Sequence, residues 1–371
     1  MQKRMVRIAG ALLEMTPRQC DPDENGNFGA SPAVVKSIVD FLENPSTKPG
    51  HGNDDVRAEL SRYLAVPADC IRACVDPQRA IEQVARAYLE HDVEALVASP
   101  ACGDFSTAAQ STGAKVITVD HGNPLDPQIE AVINRIGTRT RAIFVENPSR
   151  VSGAFFTEAE IVFLLAYAEG TLVIVDEGCF ELGGRNLAEL TRKFPNLIVI
   201  RRIAGLHGMG PLSMAYILSG PENLQFLDRI SAGSCLDGLV FGAARAALAT
   251  PALIAERIHA INQARRMIKQ TLPQVGYEFR LPPGDFLLLL VADIDAAAQY
   301  LSNQSIPFCR LPGFDTPRGH LKVYLESPQQ AERLLMALSA RAGELATGYN
   351  RNRSGAENRL KTLDTNMAKV G

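Results

Sequence analysis

Residues 196–218 read NLIVIRRIAGLHGMGPLSMAYIL. A β-branched apolar run, a glycine-rich loop and a second apolar run make the frame that sets ligands at the carboxyl ends of strands in an open α/β sheet. The loop contains no Lys, Cys, Asp or Glu, and His207 is its acid–base side chain. Outward from this stretch, EALVAS (94–99), KVITVD (115–120), RAIFVEN (141–147), LVIVDEG (172–178) and MAYILSG (214–220) repeat the strand pattern. Helix-length segments such as PQRAIEQVARAYLEH, PQIEAVINRI and TEAEIVFLLAYAEG lie between them. Short apolar runs alternating with helical segments predict a parallel sheet covered on both faces. Thr157 and Glu160 have the spacing of a capping box, which marks a helix start.

From about residue 222 the pattern turns helical, and PALIAERIHAINQARRMIKQTL is long enough to link two domains. Beyond it, DFLLLLVAD, IPFCRL and HLKVYLES alternate with DAAAQYLSNQ and PQQAERLLMALSARAGEL, which predicts a small α+β domain. The expected division is an N-terminal segment (1–44) joining the small domain, a large domain (45–250), the small domain (251–345) and a polar tail (346–371) expected to be disordered.

Charge narrows the partners. The 371 residues carry 38 Lys and Arg against 41 Asp and Glu, a net charge of −3, with no long basic run. This argues against nucleic acid. Seven cysteines are scattered without a C-x-x-C pair, the usage of a reducing compartment rather than of zinc or disulfides. No run reaches the roughly 18 apolar residues of a membrane span. MQKRMVRIAGALLEM lacks a small-residue cleavage site, so the expectation is a cytoplasmic protein off the membrane.

Four stretches carry a family likeness: DENGNFGASPAVVKSI (23–38), ENPSRVSG (146–153), VIVDEGCFEL (173–182) and the opening stretch itself. Together they resemble the fold-type I pyridoxal-phosphate (PLP) enzymes, the histidinol-phosphate aminotransferases and their threonine-phosphate decarboxylase relatives, over about residues 22–345. The resemblance implies the α/β PLP-transferase fold, with a large mainly parallel-sheet domain and a small α+β domain, and a dimer.

What it implies for the site is unusual. Gly205 stands where the family's Schiff-base lysine is expected, and Ala204 on the preceding Ser. A glycine supplies neither the covalent attachment nor the proton transfers of that lysine. Asp76, Pro77 and Gln78 fall on the turn that donates to the cofactor phosphate, and Cys102 and Cys179 replace aromatic residues. Asp176 keeps the position that pairs with the pyridinium nitrogen. Arg150, Ser213 and Lys322 fall on a ring-hydroxyl Asn, a phosphate Arg and a substrate-carboxylate Arg; they form the expected substrate-binding set. Arg150, Arg201, Arg202 and Lys322 together suggest an anionic, amino-acid-like ligand. His207 is the candidate catalytic residue, with a packed structural His as the alternative; a lysine from elsewhere, such as Lys48 across a dimer, is a remote one.

Conventional PLP transamination is therefore not expected. PLP or pyridoxamine phosphate bound non-covalently, and no cofactor at all, stay open; no metal is expected. Two readings of function stay open with them. One is a repurposed enzyme of amino-acid-derived or specialised metabolism acting on a small molecule as a homodimer. The other is a non-catalytic homologue that stabilises or regulates an active partner in a heterodimer.

Overall fold

The computed structural model describes residues 28–44, 52–99, 101, 103–120, 125–178, 180–184, 186–209, 212–230, 237–311 and 319–341. Lys48, Cys102, Cys179 and the tail 346–371 lie outside them, as does the whole of residues 1–27.

Seven strands form the larger sheet: β1 (Ile71–Cys74), β2 (Glu94–Ser99), β3 (Lys115–Asp120), β4 (Thr140–Glu146), β5 (Leu172–Asp176), β6 (Leu197–Ile203) and β7 (Met214–Leu218). Their order is β1-β7-β6-β5-β4-β2-β3. Pairings from β3 across to β6 are parallel, whereas β7 runs antiparallel to β6 and to β1. The mainly parallel sheet is the one expected, although the sequence pattern does not mark β1. The antiparallel turn has a physical cause: residues 204–213 are too few for a parallel crossover, which takes about a dozen residues or more.

Helices cover both faces, so the central strands are apolar almost without interruption. On one side lie α1 (Pro32–Glu43), α2 (Asn53–Leu64), α5 (Ile129–Ile133), α6 (Glu158–Tyr167) and α8 (Asp237–Leu248), which bring Val34, Leu60, Val132, Leu164 and Phe241 into the core. On the other lie α3 (Pro77–Tyr88), α4 (Gly103–Gln110) and α7 (Pro221–Ile230), with Ile81, Phe105 and Leu227. Each such side chain contributes about 2 kcal/mol of burial. The capping box at Thr157 is formed: the hydroxyl accepts from Glu160 N, and the Glu160 carboxylate accepts from Thr157 N at 2.7 Å. PQIEAVINRI gives only the short α5, not the longer helix its pattern suggests.

Helix α9 (Pro251–Thr271) leads into a four-stranded antiparallel sheet, β10-β11-β9-β8, built from β8 (Phe279–Arg280), β9 (Phe286–Val291), β10 (Phe308–Arg310) and β11 (Gly319–Tyr324). Two further helices, α10 (Ile294–Asn303) and α11 (Pro328–Ala340), pack on one face with the end of α9. The run FLLLLV is buried on both sides because Leu287, Leu289 and Val291 face those helices while Phe286 and Leu288 face Val151 of the larger unit. In the described part of the N-terminal segment, α1 lies against α8, because Val34 is seated in the core of the large sheet.

Among the described residues no single helix is long and apolar enough to cross a membrane.

Candidate functional site

Strands β4, β5 and β6 end side by side, which brings Glu146, Asp176 and the pair Arg201–Arg202 to one edge of the sheet. Asp176 is wholly buried. Its Oδ2 lies 2.6 Å from an Arg202 guanidinium nitrogen and 3.7 Å from one of Arg150. Arg150 is anchored in turn by Glu146, which accepts its Nε at 2.5 Å and its backbone N at 3.0 Å. The loop that carries Arg150 is closed by Asn147, whose side-chain amide bonds both polar groups of the Phe156 backbone. Lys322, on β11, donates from Nζ to the Arg150 carbonyl at 2.9 Å and lies over the rings of Phe286 and Tyr324. Lys322 is the buried lysine among the described residues.

A second ion pair lies beside the first. Arg201 donates from Nε to Glu177 Oε2 at 2.9 Å and reaches Asn186 Oδ1 at 2.7 Å, while Leu187 N donates to Glu177 Oε1. Phe180 stacks under the guanidinium, its centroid 3.9 Å from Arg201 Cζ. Burial pushes the Glu177 carboxyl up to about 7 against the pull of Arg201. This network ties Glu177, Phe180, Asn186 and Leu187 to Arg201 on the sheet. The positive potential expected from Arg150, Arg201, Arg202 and Lys322 is therefore matched locally by carboxylates and by a carbonyl. Charges taken out of water are stable only when paired.

The Gly205 loop forms one wall of a small pocket. Gly205–His207 make a single tight turn, closed by Gly208 at φ 74°, a left-handed conformation that suits glycine. Ser31 N donates to the Gly208 carbonyl at 2.8 Å, which lays residues 28–31 across the loop. From α9, Arg257 donates to the carbonyls of Gly205 (2.7 Å), Leu206 (3.1 Å) and Gly29 (3.1 Å). Farther along the same helix, Arg265 grips the carbonyls of Leu281, Pro282 and Gly284. The pocket is lined by Phe28, Glu181, Arg202, Gly205, His207 and Asp285, among others.

His207 is buried, and its Nε2 is 3.2 Å from Glu181 Oε1. The two are out of line for a hydrogen bond, and neither atom has a hydrogen-bond partner. Asp285 Oδ1 and Arg202 Nε, on the same lining, also have none. Burial raises the Asp285 carboxyl to about 6 although Lys322 pulls it down. Behind His207 lie Tyr63, edge-on at 6.2 Å between centroids, and the fully buried Tyr216; burial pushes the Tyr63 hydroxyl up to about 12 and raises that of Tyr216 as well.

Of the residues singled out from sequence, Gly205 and His207 line this pocket, and Asp176, Arg150 and Lys322 form the adjoining buried cluster. Ser213, half-buried just ahead of β7, joins neither group. Asp76 caps α3, accepting from Arg79 N at 2.7 Å, with Pro77 opening the helix. Glu181 and Asp285 were missed. Glu181 sits inside the quoted VIVDEGCFEL, and Asp285 is the one acid directly before a six-residue apolar strand. An acid in that place is a signal in itself, since a charge seldom enters an apolar strand without a task. Among the described residues no His, Cys, Asp and Glu cluster could hold a metal ion.

Known proteins share this architecture. Histidinol-phosphate aminotransferase from Sinorhizobium meliloti, solved with pyridoxal-5'-phosphate, superposes with a TM-score of 0.72 at 20% identity, over 86% of this chain and 89% of that one. Aspartate aminotransferase from Thermotoga maritima gives 0.71 at 17%, over 91% and 96%. In sequence, the chain is 27% identical to an aromatic amino acid aminotransferase of Rhodococcus jostii over 71% of this chain and 74% of that protein. It is 26% identical to a histidinol-phosphate aminotransferase of Jannaschia sp. over 90% and 93%. The model of the family "Aminotransferase class I and II" matches residues 21–338. The chain belongs to the class I and II aminotransferase family.

Proposed function

We propose that this chain is a repurposed member of its family, one that binds a small amino-acid-derived molecule beneath the Gly205 loop and does not transaminate through a lysine-bound cofactor. The observation that carries the reading is the state of Asp176. Its Oδ2 is held at 2.6 Å by Arg202 and flanked by Arg150, so the charge that would attract a cationic ring nitrogen is already balanced internally, although Oδ1 has no hydrogen-bond partner.

Two further features agree. The loop residue at the expected lysine position is Gly205, and the buried Lys322 is committed to the Arg150 carbonyl. At the start of α3, Asp76 accepts from the backbone N of Arg79, so a phosphate there would meet a like charge. The residues present do not fit pyridoxal phosphate. His207, facing Glu181, is the acid–base group of the pocket wall and the candidate for any proton transfer to a bound ligand.

The test is near-ultraviolet and visible absorption of the purified protein after incubation with pyridoxal phosphate and then pyridoxamine phosphate, followed by gel filtration, borohydride reduction and mass spectrometry. No retained band and no lysine adduct are expected. Gly205→Lys alone is expected to create no stable band, because Asp176 remains engaged. A retained band in the unmodified protein would overturn the proposal.

A further inference from the structure

Two side chains on the pocket lining, His207 and Glu181, are each held in place by the residues around them. His207 ends the tight turn Gly205–His207. Its backbone N donates to the Ala204 carbonyl at 3.0 Å, and Arg257 grips the carbonyls of Gly205 and Leu206 just before it. Glu181 sits in the turn Phe180–Leu182. On one side of it Phe180 lies under Arg201; on the other the Leu182 carbonyl accepts from Gly284 N at 3.2 Å. The two side chains, 2% and 8% exposed, meet with Nε2 and Oε1 3.2 Å apart.

The separation already suits a hydrogen bond, and only direction is wanting. The χ2 torsion of a histidine is broad, so a modest rotation of the ring brings Nε2–H into line with Oε1 at little cost. The incentive is strong, because both atoms are buried, neither has another hydrogen-bond partner, and bare buried polar groups are costly. A carboxylate accepts and does not donate, so the hydrogen of this bond is on Nε2. That placement holds in either charge state of the ring: the imidazolium carries hydrogen on both nitrogens, and the neutral ring keeps the hydrogen that is bonded. The proton that comes and goes is then the one on Nδ1.

We propose that Glu181 is a positioning residue that fixes hydrogen on His207 Nε2, so that His207 exchanges protons with a bound ligand through Nδ1. The proposal rests on the reading of this pocket as a ligand site with His207 as its acid–base group, and it names the atom that acts and the residue that selects it. A proton taken at Nδ1 makes the ring cationic beside the Glu181 carboxylate; giving that proton up restores the lone pair on Nδ1. The other groups around the pair have other roles. Arg201, on β6, attracts Glu181 but is bonded to Glu177 and Asn186. Tyr63 of α2 and Tyr216 of β7 stay uncharged, since burial raises both hydroxyls. Arg202 and Asp285 share the lining, and Arg257 is committed to backbone carbonyls.

The experiment is nitrogen-15 NMR of the full chain labelled in its histidine rings, with His207 assigned by the resonances lost in His207→Gln. Over a pH titration the Nδ1 resonance of His207 is expected to move much farther than that of Nε2, and the Nε2 proton to appear as a slowly exchanging downfield signal. Glu181→Gln, which keeps the shape and removes the charge, is expected to move that signal upfield and to speed its exchange with water on the order of tenfold or more. Glu181→Asp, which keeps a carboxylate one methylene short, is expected to fall between the two. Thermal unfolding shows that each variant folds; where Glu181→Gln does not, the Glu181→Asp spectrum takes its place. A neutral ring with its hydrogen on Nδ1, or an Nε2 proton indifferent to these substitutions, would overturn the proposal. Retention of pyridoxal phosphate through gel filtration defeats the reading of an abandoned cofactor site whatever the NMR result, so the two claims fail separately.

Discussion

Replacing Asp285 by Asn should make the protein more resistant to denaturant at neutral pH than at acid pH, relative to the unmodified chain. Asp285 is 2% exposed at the mouth of β9, and burial raises its carboxyl from 3.8 to about 6. A raised carboxyl is easier to protonate in the folded protein than in the unfolded chain. Below the unfolded value the group is neutral in both states; from 3.8 up to about 6 the unfolded chain ionises while the folded protein stays protonated, so stability is lost across that window and levels off above it. The full cost is about 3 kcal/mol at pH 7.5, and about half of it is already present at pH 5. The amide carries no such cost. The stability difference between the variant and the parent should therefore move in the variant's favour by roughly one to two kcal/mol between those two pH values. At a urea slope of about 3 kcal/mol per molar, that is about half a molar in the relative midpoints. Comparing the same pair at two pH values cancels the packing change, which is common to both. Urea melts followed by circular dichroism at the two pH values give the answer. A midpoint difference that stays flat, or one that favours the parent as pH rises, would refute the assignment of a strained buried carboxyl to Asp285.

Two shorter predictions follow from the same reasoning. Asp176→Ala should cost about 3 kcal/mol or more and lower the thermal midpoint, because it leaves the Arg202 and Arg150 guanidiniums without their shared carboxylate; an unchanged or raised midpoint would mean that Asp176 is not internally committed. Thr157→Ala should remove one cap of α6 and cost about 1 kcal/mol in chemical denaturation, with no effect on ligand titrations at the pocket.

Legibility in the sequence followed the physics of each feature. EALVAS matches β2 residue for residue, because a strand buried on both faces has no freedom but to be apolar, and KVITVD matches β3 on its β-branched content although that edge strand is largely exposed. IRAC went unmarked since four residues with an internal Arg carry no periodic signal, and Arg72 is accommodated by a distant Asp228, by Gln83 and by Cys74 Sγ. The site was half visible. Gly205, His207 and Asp176 could be located from the loop and the strand ends. What the arginines do there was hidden, because a guanidinium looks alike in sequence whether it awaits an anion or is bound to Glu146, and the pairing depends on which strand ends are neighbours. Glu181 and Asp285 meet across two units that are about a hundred residues apart in the chain, a juxtaposition that only the folded topology creates.

Helix α9 offers one more consequence. Its Arg257 holds the carbonyls of Gly205 and Leu206, and its Arg265 holds those of Leu281, Pro282 and Gly284, just before Asp285. Both banks of the pocket thus hang from one rod. The attachment points are spaced about 12 Å along it, and an α-helix resists stretching. A single rigid gauge therefore fixes the separation of the banks whatever lies between them. Guests of different size must be accommodated by side chains such as Phe28 and His207, not by the two units drawing apart.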